Sequence, residues 1–123
     1  MLNLRIFTSR WLAAGWLLFI SILFILPGSA IPHSNWFTQI YLDKWVHVFL
    51  FAVLVFLWKS AFPLPKQTVV LLLFSLAYGI LVECVQELWV PNRSFDVFDM
   101  AADLAGSILG ILIWGWGKKN KPL

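Results

Sequence analysis

Charge is the scarcest property of this chain. Only 12% of its 123 residues are Asp, Glu, Lys or Arg, against 61% that are hydrophobic. A soluble domain of that length has too little interior to hide so much apolar surface, so lipid is the expected solvent. Cysteine is nearly missing as well. The single Cys84 allows no internal disulfide and no cysteine-rich metal site. Basic residues number nine, for a formal net charge of +3, and they form no stripe with exposed aromatics. Nucleic acid is therefore not an expected partner. Internal repeats, low-complexity tails and long polar linkers are absent too, which leaves one domain over residues 1–123.

What the chain does have is apolar length. Four runs stand out: residues 11–26, stopped by Pro27 and Gly28; 45–62, followed by Pro63 and Pro65; 68–90, ended by Pro91; and 100–116, closed by Gly117 and three lysines. None alternates strictly, so strands are not expected. The fold class is all-α: a polytopic membrane protein with four transmembrane helices in a compact bundle. Several runs fall short of the ~20 residues a bilayer needs, so flanking residues complete them. The start of the chain admits a second reading. "MLNLRIFTSR", an apolar run and "PGSA" also have the form of a secretory signal cleaved after Ala30, although Trp11 and Trp16 suit a retained helix better.

Orientation follows from where the basic residues fall. Arg5, Arg10, Lys59, Lys66, Lys118, Lys119 and Lys121 share one side if both termini are cytoplasmic, and only Lys44 and Arg93 fall on the other. The acids gather opposite the basic majority. Asp43, Glu83, Glu87, Asp96, Asp99 and Asp103 all lie at or toward the non-cytoplasmic helix ends, five of the six within residues 83–106. Seven of the eight tryptophans, all but Trp16, sit near span ends or in a connection, as an interfacial belt requires.

Helical spacing then sorts the polar residues onto faces. Asp43, Lys44 and His47 share the first turns of the second span. Ser75, Gly79, Glu83 and Gln86, at spacings of 4, 4 and 3, make one stripe on the third. Asp99, Asp103, Gly106 and Gly110, at spacings of 4, 3 and 4, make one on the fourth. "GSILG", extended backward by Ala102, is a small-residue pattern that permits close helix approach in lipid, so Asp103 is expected to face protein. Glu83 lies seven residues inside its span, about 10 Å from the end, and needs a partner there. Lys44, His47 and Arg93 are the basic side chains on that side, so Glu83 and Asp103 are expected to be held by some of them.

At these residues the chain resembles the VanZ-like family of small bacterial membrane proteins. "DKWVHVFLF" at 43–51, "ECVQ" at 83–86 and "RSFDVFDMAADLAGSILG" at 93–110 carry the resemblance. The matching positions are Asp43, Lys44, His47, Glu83, Gln86, Arg93, Asp96, Asp99, Gly106 and Gly110. Phe51 stands where the family more commonly has tyrosine, and Asp103 where asparagine is frequent. Membership implies a bacterial cell-envelope protein, and the namesake's link to teicoplanin implies a role like glycopeptide resistance. It implies no particular reaction.

The functional polar cluster read from the chain is thus Asp43, Lys44, His47, Glu83, Gln86, Arg93, Asp96, Asp99 and Asp103, with Gly79, Ala102, Gly106 and Gly110 as packing positions. Two functions compete for it. One is binding or shielding an amphiphile, a lipid-linked cell-wall component or lipoglycopeptide, with Trp36, Phe37, Trp45 and Trp89 suited to sugars and acyl tails. The other is an intramembrane enzyme acting on a lipid headgroup, with Glu83 or His47 as base and Arg93 or Lys44 stabilising an anion. A purely structural network is the plain alternative, and transport through four helices would call for a homo-oligomer. Glu83, Asp99, Asp103 and His47 have the donor chemistry for Mg, Mn or Zn, but no spacing here is a recognised metal motif, and no cofactor is assigned. Cys84 reads as a packing residue, turned about 100° from Glu83.

Overall fold

The computed structural model describes residues 4–27, 42–62 and 66–119. Trp36, Phe37, Ala30, Pro63, Pro65 and Lys121 lie outside the described residues, and so do the expectations that rest on them. A short 3-10 turn, Leu4–Thr8, precedes four α-helices: α1 Arg10–Phe24, α2 Leu42–Ala61, α3 Gln67–Trp89 and α4 Val97–Lys119. No strand occurs among the described residues. By length and composition α2, α3 and α4 can each cross a membrane. At 15 residues α1 is about 22 Å long, short of a hydrocarbon core of about 30 Å.

The helix ends differ from the apolar runs for identifiable reasons. Both α2 and α4 begin three residues before the apolar runs at 45 and 100, because Asp43 and Asp99 stand in first turns, where negative charge complements the helix dipole. Asp96 precedes α4 and its Oδ1 accepts the Phe98 amide at 2.9 Å, an N-cap arrangement. At its other end α4 continues to Lys118 and Lys119, cations favoured at a C-terminus. Ser9 Oγ caps α1 by accepting from the Leu12 amide at 3.3 Å. Between α3 and α4 the chain turns at Asn92, whose φ of 60° is one that asparagine tolerates better than most residues.

Helix α2 is central. Along it α4 runs parallel, with Asp103 beside His47, Gly106 on the Val48 carbonyl and Gly110 on the Ala52 carbonyl. A side chain at either glycine would collide with α2's backbone, which is why small residues occupy this seam. Helix α1 lies antiparallel to α2: Phe24 stacks near His47, Trp16 Nε1 donates to the Leu50 carbonyl at 3.0 Å, and Arg10 sits over Phe62. The main core joins Ile20, Phe24, Leu50, Phe51, Leu54 and Val82. Burial is inverted relative to a soluble bundle. His47, Lys59, Ser75, Glu83, Gln86, Asp99, Asp103 and Ser107 are buried, while Leu73, Phe74, Leu81, Leu88 and Trp116 face outward. Such an arrangement hides polar groups from hydrocarbon and gives lipid the apolar surface. Cys84 joins the outward face and is exposed, so it is not a core packing residue.

Candidate functional site

Lysine 44 organises one half of the polar end. Its ammonium donates to Asp43 Oδ2 at 2.6 Å, Asp96 Oδ2 at 2.6 Å and Asp99 Oδ1 at 2.7 Å, which uses all three of its donors. The group ties the start of α2 to the start of α4. Burial opposes ionisation of Asp96, but the Lys44 ammonium and the Phe98 amide outweigh it and hold that carboxyl below its ordinary value.

One turn deeper lies the second half. His47 Nδ1 is 2.7 Å from Asp103 Oδ1, and its Nε2 is 3.7 Å from Asp99 Oδ2, so the imidazole stands between two carboxylates of α4. The Phe24 ring covers it, with centroids 5.0 Å apart. Asp103 is thus held by one of the three expected basic groups. Glu83 is not. Fully buried, it accepts the Asp96 amide through Oε2 at 3.0 Å, a main-chain partner rather than Lys44, His47 or Arg93. Glu83 Oε1 and Asp103 Oδ2 are both buried with no hydrogen-bond partner among the described residues. Gly79 gives Asp103 its room, since a Cβ there would stand 2.9 Å from Asp103 Oδ2.

Gln86 and Arg93 serve a different purpose from the ionic groups. Gln86 Nε2 donates to the Phe24 carbonyl at 2.9 Å, and Arg93 Nε to the Leu26 carbonyl at 3.2 Å. Both satisfy carbonyls that the end of α1 leaves without helical donors. Burial pulls the Arg93 guanidinium below its usual range, against the opposing influence of Asp99 and Glu83. Glu87 Oε2 accepts the Phe95 amide at 2.7 Å, so two glutamates of α3 pin the 90–96 connection through its backbone. Sequence spacing gives no sign of these main-chain partners, nor of the Ser21–Tyr78 hydroxyl pair at 2.6 Å that joins α1 to α3.

The VanZ/LLP1 family model matches residues 2–117. This chain belongs to the VanZ/LLP1 family. No curated protein and no solved structure matches it. With three long apolar helices, this VanZ/LLP1 member is a multi-pass membrane protein. The segments that carried the resemblance, 43–51, 83–86 and 93–110, fold together at one end of the bundle.

Metal-ligand chemistry is present twice at that end. One ligand atom each from His47, Glu83 and Asp103 fall within 4.8 Å of one another, and the same holds for Asp43, Asp96 and Asp99. In the second group the Lys44 ammonium already contacts every member. Asp99 links the two groups: its Oδ1 accepts from Lys44 at 2.7 Å, and its Oδ2 lies 3.7 Å from His47 Nε2.

Below the polar end Phe24, Phe51 and Tyr78 form an aromatic layer, with centroid separations of 5.8 to 6.5 Å. Beneath it a groove of about 480 Å³ opens between α1 and α3 over α2, lined by Leu17, Leu54, Trp58, Leu71, Phe74 and Tyr78 among others. Its size is that of a small-molecule site, and its lining is almost wholly apolar.

Proposed function

We propose that this chain is a four-span protein of the bacterial cell envelope that binds an amphiphile, either a lipid-linked cell-wall component or a lipoglycopeptide. The headgroup meets the polar end and an acyl tail lies in the lateral groove. One observation carries the reading: a charged cluster and an apolar groove occur on the same small bundle, with Tyr78 at the groove's upper end only five residues, about 7.5 Å, below Glu83. A tail entering from the polar leaflet runs in that direction.

The contact of α1 with α2 from Phe24–His47 to Arg10–Phe62 supports α1 as a fourth crossing, completed by its flanks. Both termini are then cytoplasmic, and the polar end faces the opposite leaflet, in keeping with the basic residues at 59, 66, 118 and 119. A role like glycopeptide resistance follows if the bound amphiphile is a wall precursor or the antibiotic itself.

Native mass spectrometry of protein purified from envelopes without added ligand tests this. A lipid-linked or glycolipid species enriched over bulk phospholipid is expected, with occupancy falling in a groove-filling Leu71→Trp variant whose melting temperature is retained. Bound lipid matching the bulk composition in both proteins would refute the proposal. The enzyme reading draws on the buried His47–Asp103 pair, an oriented imidazole beside a carboxylate. It calls for lipid turnover that Glu83→Gln abolishes without loss of stability.

A further inference from the structure

We infer that His47, Glu83 and Asp103 form a binding site for one divalent transition-metal cation, Zn²⁺ or Mn²⁺, inside the polar end of the bundle. The three side chains arrive from three different helices, α2, α3 and α4, and bring their ligand atoms within 4.8 Å of one another.

Two unspent acceptors point to the ligand. Glu83 is 0% exposed and Asp103 2%, yet Glu83 Oε1 and Asp103 Oδ2 have no hydrogen-bond partner among the described residues. Buried acceptors are almost always satisfied, and a carboxylate oxygen most of all. The nearby cations donate no hydrogen bond to these two oxygens. Lys44 spends its donors on Asp43, Asp96 and Asp99, while Arg93 Nε donates to the Leu26 carbonyl. Five carboxylates, Asp43, Glu83, Asp96, Asp99 and Asp103, thus face at most three cationic groups, Lys44, Arg93 and a protonated His47, which leaves Glu83 and Asp103 short of positive charge. A divalent cation with a neutral imidazole balances both.

The donor set selects the metal. One imidazole with two carboxylates suits Zn²⁺ or Mn²⁺, whereas Mg²⁺ and Ca²⁺ favour oxygen-only shells. Three protein ligands also leave a coordination position open. Supporting contacts are in place: the Asp96 amide fixes Glu83 through Oε2, and the bare backbone of Gly79 admits the Asp103 carboxylate. The other acidic triad carries no such site, because Lys44 stands among its oxygens.

The test uses the full chain in detergent, stripped with EDTA, loaded with Zn²⁺ or Mn²⁺, desalted and analysed for metal by mass spectrometry. About one equivalent is expected to remain, with a rise in melting temperature. Glu83→Gln preserves an acceptor for the Asp96 amide, so its fold is expected to persist while retained metal falls on the order of tenfold. Asp43→Asn, outside the triad, should load like the unaltered chain. Two results would overturn the site: unaltered protein that neither retains metal nor gains stability on loading, or Glu83→Gln and Asp103→Asn that retain as much as it does. Loading is measured without any added lipid-linked component or lipoglycopeptide, so loss of the metal site leaves the amphiphile proposal standing, and the converse holds as well.

Discussion

His47 on α2 and Asp103 on α4 meet at 2.7 Å although 56 residues separate them, and the helices that carry them run in the same direction. Parallel helices cannot be joined by a short turn, so α3 must cross back between them. That return brings Glu83 and Gly79 to the same level as the pair. In metal-free protein, His47→Ala strands the Asp103 carboxylate and is expected to destabilise by about 3 to 5 kcal/mol, the usual cost of breaking a buried pair from one side. The double variant His47→Ala/Asp103→Ala should cost less than the two single changes summed. Denaturation of EDTA-treated protein in detergent measures the cycle, and strict additivity would show the contact to be incidental.

Asp96 sets a pH dependence. Its carboxyl is held below the ordinary value of 3.8 in the folded chain, chiefly by Lys44 against the pull of burial. Folding therefore favours the ionised form. The stabilisation is complete above the ordinary value and disappears as pH falls through the lowered one. Asp96→Asn keeps an N-cap acceptor but loses the charge, so the deficit reports the ion pair alone. Because Asp96 is partly exposed, that deficit should be no more than about 1 kcal/mol at neutral pH. The melting curves of the two proteins are expected to converge only below pH 3.8, and a gap that persists there would assign the effect to something other than the charge.

Glycines in α4 are not equivalent. A Cβ at Gly106 would fall on the Val48 carbonyl oxygen, whereas one at Gly115 meets nothing within 4 Å. Gly106→Ala is expected to cost about 1 to 3 kcal/mol by forcing α2 and α4 apart. Gly115→Ala should be neutral or stabilising by up to about 1 kcal/mol through helix propensity. Thermal unfolding in one detergent compares them directly, and equal effects would contradict the packing described.

The Ser21–Tyr78 pair joins α1 to α3 at mid-depth. Polar contacts between membrane helices contribute about 0.6 kcal/mol on average, so Tyr78→Phe should lower stability by about that amount. Hydrogen exchange in α1 should rise while that in α4 is unchanged. A uniform rise across the bundle would place the bond's role elsewhere.

Periodicity makes much of this arrangement legible in the sequence. Ser75, Gly79, Glu83 and Gln86 were recognisable as one face because helical spacing repeats whatever the neighbours are, and all four are buried. Asp99, Asp103, Gly106 and Gly110 follow the same logic, and all four are buried on α4. What stayed hidden was the choice of partner. Glu83 bonds a backbone amide, and Gln86 and Arg93 bond carbonyls, groups that every residue carries and that leave no mark in a sequence. Helix starts lie ahead of the apolar runs, where flanking residues are expected to complete the spans: Asp43 and Asp99 are first-turn acids that favour the helix they open.

The pairing of α2 with α4 also bears on how the chain is made. During synthesis Lys44 and His47 emerge well before Asp96, Asp99 and Asp103, so for about 50 residues Lys44 has only Asp43 of its three partners and His47 lacks Asp99 and Asp103. Electrostatic closure of the bundle is therefore a late event of biogenesis, reached only once the last helix has threaded into place beside the second.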